Sequence, residues 1–294
     1  MHVTILGSEG FVGKNLSKIL ESKFDLTCSD ILENGSGINY VKSDVRKLDN
    51  LKKVLKDTDV IIDLVANSLI SSFDQIIENA RVNILGLLNI LEAARFNNVK
   101  KIIFPSASSM IGFTKQNPVP ESHPAVPKTA YGVTKLASEH YFRIYKELYG
   151  IDFVIFRFFN IYGPYQLNGL IPSLIFRMQK NKPITIFGKG DQIRDFVFVP
   201  DVANFFEEAI ISNKADNQIV NMGTGIGSSV LDVVENLSKF LDIKPQIEYK
   251  PERPGEISNF VADTNLLKQL FGSVPNTSLE DGIKKTVEWY QNHS

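Results

Sequence analysis

Val3-Thr4-Ile5-Leu6-Gly7-Ser8-Glu9-Gly10-Phe11-Val12-Gly13 is an apolar run that breaks into three glycines and continues as the amphipathic stretch Phe11 to Leu20. This pattern predicts a strand that turns directly into a helix. Such a turn leaves the helix's first N–H groups unpaired and pointing outward, and with the helix dipole they form a seat for a phosphate. Gly7 permits the tight turn, Gly10 lets a pyrophosphate approach the backbone, and Gly13 lets the helix pack closely on the strand. The spacing is Gly-x-x-Gly-x-x-Gly rather than the commoner Gly-x-Gly-x-x-Gly, and by itself it also fits a glycine-rich turn without a ligand. Context narrows the choice. Leu26 to Ser29 reads as a second strand that ends in Asp30, 17 residues after Gly13. A carboxylate there reaches the adenosine ribose hydroxyls and repels a 2′-phosphate, so the expected cofactor is NAD rather than NADP.

Outward from this loop, short apolar runs alternate with helical periodicity. Val12, Leu16, Ile19 and Leu20 form one helical face, and Leu48, Leu51, Val54 and Leu55 form another. Between them Tyr40-Val41 leads to Asp44, which has two readings: a partner for the adenine amino group, or an acid at a helix N-terminus. Val60 to Ala66 is the fourth strand, nearly all apolar as a strand buried on both faces should be. A helix over residues 73–96 follows, with more apolar surface than one sheet contact requires. Ile102-Ile103-Phe104 is a fifth strand and leads to Ser106-Ala107-Ser108-Ser109. The alternation predicts an α/β fold, a doubly wound parallel sheet covered on both faces, with ligands at the carboxyl ends of the strands. Residues 112–130 hold Pro118, Pro120, Pro124 and Pro127 and read as a loop. A helix from about Tyr131 to Gly150 and a sixth strand from Ile151 to Phe159 come next. Past Gly163 the units shorten, which predicts a smaller lobe and a substrate crevice beside it.

Composition excludes several classes. The 294 residues carry 32 basic and 33 acidic side chains, mixed along the chain, so neither a nucleic-acid surface nor an acidic tail is expected. Apolar runs are too short and interrupted to span a bilayer, and no leader is expected ahead of Met1-His2-Val3, where the first strand begins. Cys28 is the single cysteine, and the four histidines lack ligand spacing. A cytoplasmic protein without metal is the simplest expectation.

Tyr131-Gly132-Val133-Thr134-Lys135 places a phenol and an ammonium on one helical face. A tyrosine near pKa ~10 is a poor base at neutral pH, and a nearby cation stabilises its phenolate. An isolated Tyr-x-x-x-Lys is more often a surface pair. Here it follows a dinucleotide loop and a serine cluster, the order that puts a base beside a nicotinamide.

These residues, with Val82-Asn83, Asn160-Ile161-Tyr162-Gly163-Pro164, Gly188-Lys189-Gly190, Arg194-Asp195-Phe196 and Arg253-Pro254-Gly255-Glu256, resemble the extended short-chain dehydrogenase/reductases. Within these the chain is similar to the NAD-dependent sugar-nucleotide epimerase/dehydratase group of the UDP-glucose 4-epimerase type, nearly from end to end. The resemblance implies a Rossmann-like NAD-binding domain over residues 1–165, extended by later segments, and a mainly nucleotide-sugar-binding lobe over 166–294. It also implies a homodimer formed through the helices at 73–96 and 131–149. Cofactor contacts would fall at Gly7, Gly10, Phe11, Val12, Gly13, Asp30, Asp44, Val45, Leu64, Ala66, Asn83, Ser106, Tyr131, Lys135 and Phe159. Tyr131 would be the acid/base at a sugar hydroxyl, and Lys135 would bind the nicotinamide ribose and lower the phenol's pKa. Asn160, Arg194 and Arg253 would hold the substrate's diphosphate, a UDP-sugar before others, as suits arginine's charge-assisted bonds to phosphate. Arg194 also admits a salt bridge to Asp195 or a neighbour.

Departures bear on the reaction. The position of the family's catalytic Ser/Thr is Ala107, so the hydroxyl is expected from Ser108 or Ser106; the family's His-Leu-Ala-Ala is Asp63-Leu64-Val65-Ala66, and its Tyr in Val-Tyr-Gly is Ile111. A 4,6-dehydratase needs an Asp-Glu pair where Ser108 and Ser109 stand. The reading is therefore a nucleotide-sugar 4-epimerase. A 4-keto-sugar reductase is the rival enzyme, and a non-catalytic dinucleotide sensor is the rival of another class.

Overall fold

The computed structural model describes residues 1–114, 116–252 and 257–293. The chain begins β1 (His2–Leu6), α1 (Phe11–Leu20), β2 (Asp25–Asp30), β3 (Val41–Lys42), α2 (Leu48–Val54) and β4 (Val60–Asp63). Then come α3 (Ile76–Ala80), a π-helical stretch (Arg81–Gly86), α4 (Leu87–Phe96), β5 (Lys101–Ala107), a 3-10 turn (Ser108–Met110), α5 (Ala130–Tyr149) and β6 (Asp152–Phe158). The later chain forms β7 (Asn160–Tyr162), α6 (Leu170–Gln179), β8 (Ile184–Phe187), β9 (Ile193–Phe198), α7 (Val199–Ile211) and β10 (Gln218–Met222). It closes with β11 (Gly227–Ser229), α8 (Val230–Leu241), β12 (Ile247–Lys250), β13 (Asn259–Phe260), α9 (Asn265–Phe271) and α10 (Leu279–Asn292). Two units result. One comprises Met1–Gly112, Ser122–Phe158 and Ala203–Val220, the other Phe113–Glu121, Phe159–Val202 and Asn221–Ser294.

In the first unit seven strands lie in the order β10-β6-β5-β4-β1-β2-β3. The pairs from β3 across to β6 are parallel. The chain steps outward from β1 to β3, then returns to start β4 on β1's other side. That reversal opens a crevice at the carboxyl ends of β1 and β4, where doubly wound sheets bind ligands. Central strands are covered on both faces, which is why Val60, Ile61 and Ile62 are all buried. Over one face α2, α4 and α5 bring Leu51, Leu91 and Phe142 onto Ile61, Ile102 and Phe104. The Phe104 and Phe142 rings stand 5.0 Å apart.

The helix expected over 73–96 is divided. A separate 3-10 turn (Ser71–Phe73) precedes it, the regular helix starts at Ile76, and Arg81–Gly86 is π-helical. A 3.6-residue hydrophobic period does not register one widened turn. By contrast α5 agrees with the expected helix from about Tyr131 to Gly150: Gly150 ends it at φ 74°, and at its start the Thr129 hydroxyl, not picked out in the sequence, caps the Gly132 N–H at 3.0 Å.

The second unit is built on β9, which pairs with β7 and β13 in parallel and with β11 antiparallel, while β8 and β12 form a separate parallel pair. Its core packs Tyr162, Ile175, Ile186, Phe198, Val233, Leu237 and Ile283. Ser229 and Asp232 form a capping box at the start of α8. Among the described residues no helix is long and apolar enough to cross a membrane.

Candidate functional site

The loop after β1 has the geometry that its glycines imply. Gly7 sits at φ +80°, and a Cβ there would stand 3.0 Å from the Leu64 carbonyl carbon. At Gly13 a Cβ would fall 2.3 Å from the Gly7 carbonyl oxygen and 2.7 Å from Ser8 Cα, so only glycine lets α1 lie against the turn. Gly10 is the N-cap of α1 and offers no side-chain cap, so the N–H groups of the first turn, which holds Phe11 and Val12, are not claimed by a capping side chain. The buried Ser8 hydroxyl has no hydrogen-bond partner among the described residues.

A cavity of about 310 Å³ opens beside this turn, within the first unit. Gly7 and Gly10 line it together with Asp30, Asp44, Val45, Leu64, Ala66, Asn67 and Val82. Asp30 accepts hydrogen bonds from the Glu9 N–H (3.1 Å) and the Ile31 N–H (2.7 Å), which fixes the carboxylate at the cavity wall. Asp44 does not cap α2, whose N-cap is Lys47. Its carboxylate instead accepts from the Arg46 backbone N–H and from Nε and Nη2 of the same arginine. An uncapped helix start, a cradle that any Cβ would fill and a carboxylate one strand away together suit an adenosine diphosphate.

Asn83, the remaining expected contact on this side, is turned into the protein. Its Oδ1 accepts from the Asn67 N–H at 2.7 Å, and its Nδ2 donates to the Asn67 carbonyl and to Thr134 Oγ1, both at 3.1 Å. Asn79 joins the same cluster through the Asn67 carbonyl and Thr134 Oγ1. These amides tie the loop after β4 to the helix that carries Tyr131 and Lys135. Asn67, Asn79 and Thr134 were not foreseen, because nothing in their spacing marks amides that meet a hydroxyl 51 to 55 residues away.

The start of α5 packs directly on the turn after β5: a Cβ on Gly132 would meet the Ser109 carbonyl at 3.2 Å. Tyr131 is the residue before this glycine, on the same first turn. Lys135 is almost fully buried, donates from Nζ to the Pro105 carbonyl at 2.7 Å, and lies 4.1 Å from the Phe104 ring centroid and 5.7 Å from that of Tyr131. Burial pushes its ammonium below the usual lysine range, against the opposing pull of Asp63 and Glu139. Asp63, at the end of β4, is likewise buried and raised, with Lys135 and the Val65 N–H acting the other way. Tyr131 differs from expectation. Burial pushes its phenol up to about 12, with the Lys135 ammonium 5.7 Å from its ring centroid.

Of the serines, Ser106 turns its hydroxyl onto the Met110 sulfur at 3.8 Å. Ser108 is buried in the 3-10 turn that Ala107 caps. The Ser109 hydroxyl, buried and without a partner among the described residues, is a third candidate beside the expected Ser106 and Ser108.

In the second unit Phe159 is buried and stacks on Phe260 with ring centroids 5.1 Å apart. Asn160 stands opposite Phe196 in the β7–β9 register and donates to the Asp195 carbonyl at 3.3 Å. Arg194, two residues before Phe196, therefore shares a sheet face with Asn160. Its Nη1 donates to the carbonyls of Ile193 (2.9 Å) and Ile257 (2.7 Å). The Asp195 carboxylate, in turn, takes bonds from Thr224, Gly225 and Ala262. Arg253 lies outside the described residues.

Comparison with known proteins identifies the family. The model of the NAD dependent epimerase/dehydratase family matches residues 3–223. A putative UDP-glucose 4-epimerase of Methanocaldococcus jannaschii is 33% identical over 99% of both chains. The structure of UDP-glucose 4-epimerase with UDP-glucose from Thermotoga maritima is similar at TM-score 0.90 and 28% identity, covering 100% of this chain and 99% of that one. UDP-glucuronic acid 4-epimerase from Bacillus cereus, in complex with UDP-glucuronic acid and NAD, is similar at TM-score 0.91 and 29% identity over 100% of both chains. With the glycine turn, the parallel sheet and the Tyr131–Lys135 pair in place, the chain belongs to the NAD dependent epimerase/dehydratase family.

Proposed function

We propose that the protein is an NAD-dependent nucleotide-sugar 4-epimerase that acts on a UDP-hexose. The observation that supports this reading is that the start of α5, which carries Tyr131 and Lys135, packs through Gly132 onto the serine turn after β5, in the sheet whose reversal point holds the glycine cavity. NAD, when bound, supplies the acceptor and later the donor of a hydride at C4 of the sugar. Tyr131 takes the proton of the C4 hydroxyl and returns it. Lys135 holds a positive charge beside the phenol and orients the ribose. Ser108 donates to the sugar oxygen as charge develops. General acid/base assistance of this kind contributes about 10²- to 10⁴-fold, and positioning the rest. Asn160, Arg194 and Arg253 hold the diphosphate. Similarity to enzymes of UDP-glucose and UDP-glucuronic acid supports the UDP-hexose class.

The chain also pairs with a second copy of itself in this reading. Ile76, Ile77 and Leu85 around the π-helical stretch, and Val133, Ile144 and Leu148 on α5, are exposed apolar side chains on helices that pack together. Ile77→Glu should convert the dimer to a monomer in sedimentation velocity; a wild-type monomer at micromolar concentration would end this part of the proposal.

The main test offers UDP-, dTDP- and GDP-hexoses, with and without added NAD, and follows C4 stereochemistry by NMR. Inversion at C4 of a UDP-hexose, abolished in Tyr131→Phe, is expected. Net reduction of a 4-keto sugar without epimerisation, or no turnover of any sugar, would replace the epimerase reading with the reductase or the sensor.

A further inference from the structure

Arg46 plays no part in the chemistry above, yet its position on the cofactor cavity is distinctive. It lines the cavity from the turn after β3, and Glu78 lines it from α3. Both side chains are part-exposed, at 42% and 32%, so they stand at its rim rather than its floor. The guanidinium joins the two walls. Nε and Nη2 each lie 2.9 Å from the Asp44 carboxylate, and Nη1 lies 2.8 Å from Glu78 Oε1. The bidentate fork on Asp44 orients the guanidinium, so its remaining reach is directed at Glu78. The same contact holds the Asp44 carboxyl below the usual carboxylate range.

We propose that the Asp44–Arg46–Glu78 bridge is a clasp that closes over the adenosine end of the bound dinucleotide and slows its release. This rests on the reading that the cavity houses NAD. The clasp carries one cation and two anions, and Arg81 lies 3.7 Å from Glu78 as a second cation, so with Asp30 nearby this end of the cavity stays net acidic and unfavourable to a 2′-phosphate.

The test is the rate at which radiolabelled NAD leaves the full-length protein into excess unlabelled NAD, for wild type, Arg46→Gln and Glu78→Gln, at low and high salt. An exposed ion pair of good geometry corresponds to about a fivefold rate difference. Both variants should therefore release NAD about five times faster. Wild-type release should quicken with salt, and release from the variants should not. Glu78→Gln is decisive, because it makes the cavity less negative: simple charge repulsion of the pyrophosphate predicts slower release, the clasp faster. Unchanged or slower release from Glu78→Gln overturns the clasp alone. Failure of the wild-type protein to retain any NAD overturns the cofactor reading and the clasp with it.

Discussion

Gly10 and Gly13 stand three residues apart in one turn, and the structure predicts opposite consequences for replacing them with alanine. At position 13 the added methyl would lie 2.3 Å from the Gly7 carbonyl oxygen and 2.7 Å from Ser8 Cα and oxygen, all backbone atoms of a turn that is itself pinned to the Ser29 carbonyl. Nothing there can rotate away, so α1 must lift from the strand. Overpacking against rigid backbone costs roughly 2–3 kcal/mol, or about 5 to 10 °C in Tm for a unit of this size. At position 10 the methyl would approach only the Gly7 carbonyl, at 3.3 Å, and φ of −71° suits alanine. A few tenths of an ångström of relaxation absorbs this, and a smaller unfolded-state entropy offsets it, so Tm should change by no more than ~2 °C. Gly10 lines the cavity, however, and its methyl occupies the approach of the pyrophosphate. NAD affinity should fall at least tenfold, about 1.4 kcal/mol. Thermal unfolding without cofactor and titration calorimetry with NAD separate the two effects. A Gly13→Ala protein with the wild-type Tm, or a Gly10→Ala protein with wild-type NAD affinity, would refute the reasoning.

Three further perturbations probe the site and its support. Arg157 and Glu139 form a buried bidentate pair at 3.0 and 2.8 Å, so Glu139→Gln, which removes the carboxylate charge facing the guanidinium, should destabilise the protein by about 3 kcal/mol in urea unfolding. Asp63 opposes the burial that lowers the Lys135 ammonium. Removing its charge in Asp63→Asn lowers the lysine further, so the proton is lost earlier on raising pH and the alkaline limb of kcat/KM should move to lower pH; a limb that stays in place argues that Asp63 has no electrostatic hold on Lys135. Ser108→Ala should reduce turnover by about 1 to 3 kcal/mol of lost hydrogen bonding, whereas Ser106→Ala, whose hydroxyl is engaged by Met110, should leave it near wild type. The reverse ranking in steady-state assays would reassign the catalytic hydroxyl.

Local pattern was sufficient to place the glycine turn, Asp30, the buried β4 and α5, because each is written in contiguous residues whose backbone demands are strong: no Cβ at Gly13, two buried faces at Val60–Ile62, a glycine after the helix. The Tyr131–Lys135 pair was legible for the same reason, since one helical turn fixes both on one face. What the sequence could not disclose depends on partners far along the chain. Burial by segments far along the chain raises the Tyr131 phenol, and the Pro105 carbonyl on β5 takes a hydrogen bond from the Lys135 ammonium. Ser106 and Ser108 are equivalent as letters, and only the fold turns one of them onto Met110. The bonds that Asn83 makes with Asn67 and Thr134 join segments that only the fold brings together. The interleaving of three segments in each unit also needed tertiary structure. Periodicity identifies which face of an element is buried, but long-range contacts decide what it is buried against, and they set the charge, the orientation and the remaining hydrogen bonds of every side chain in the site.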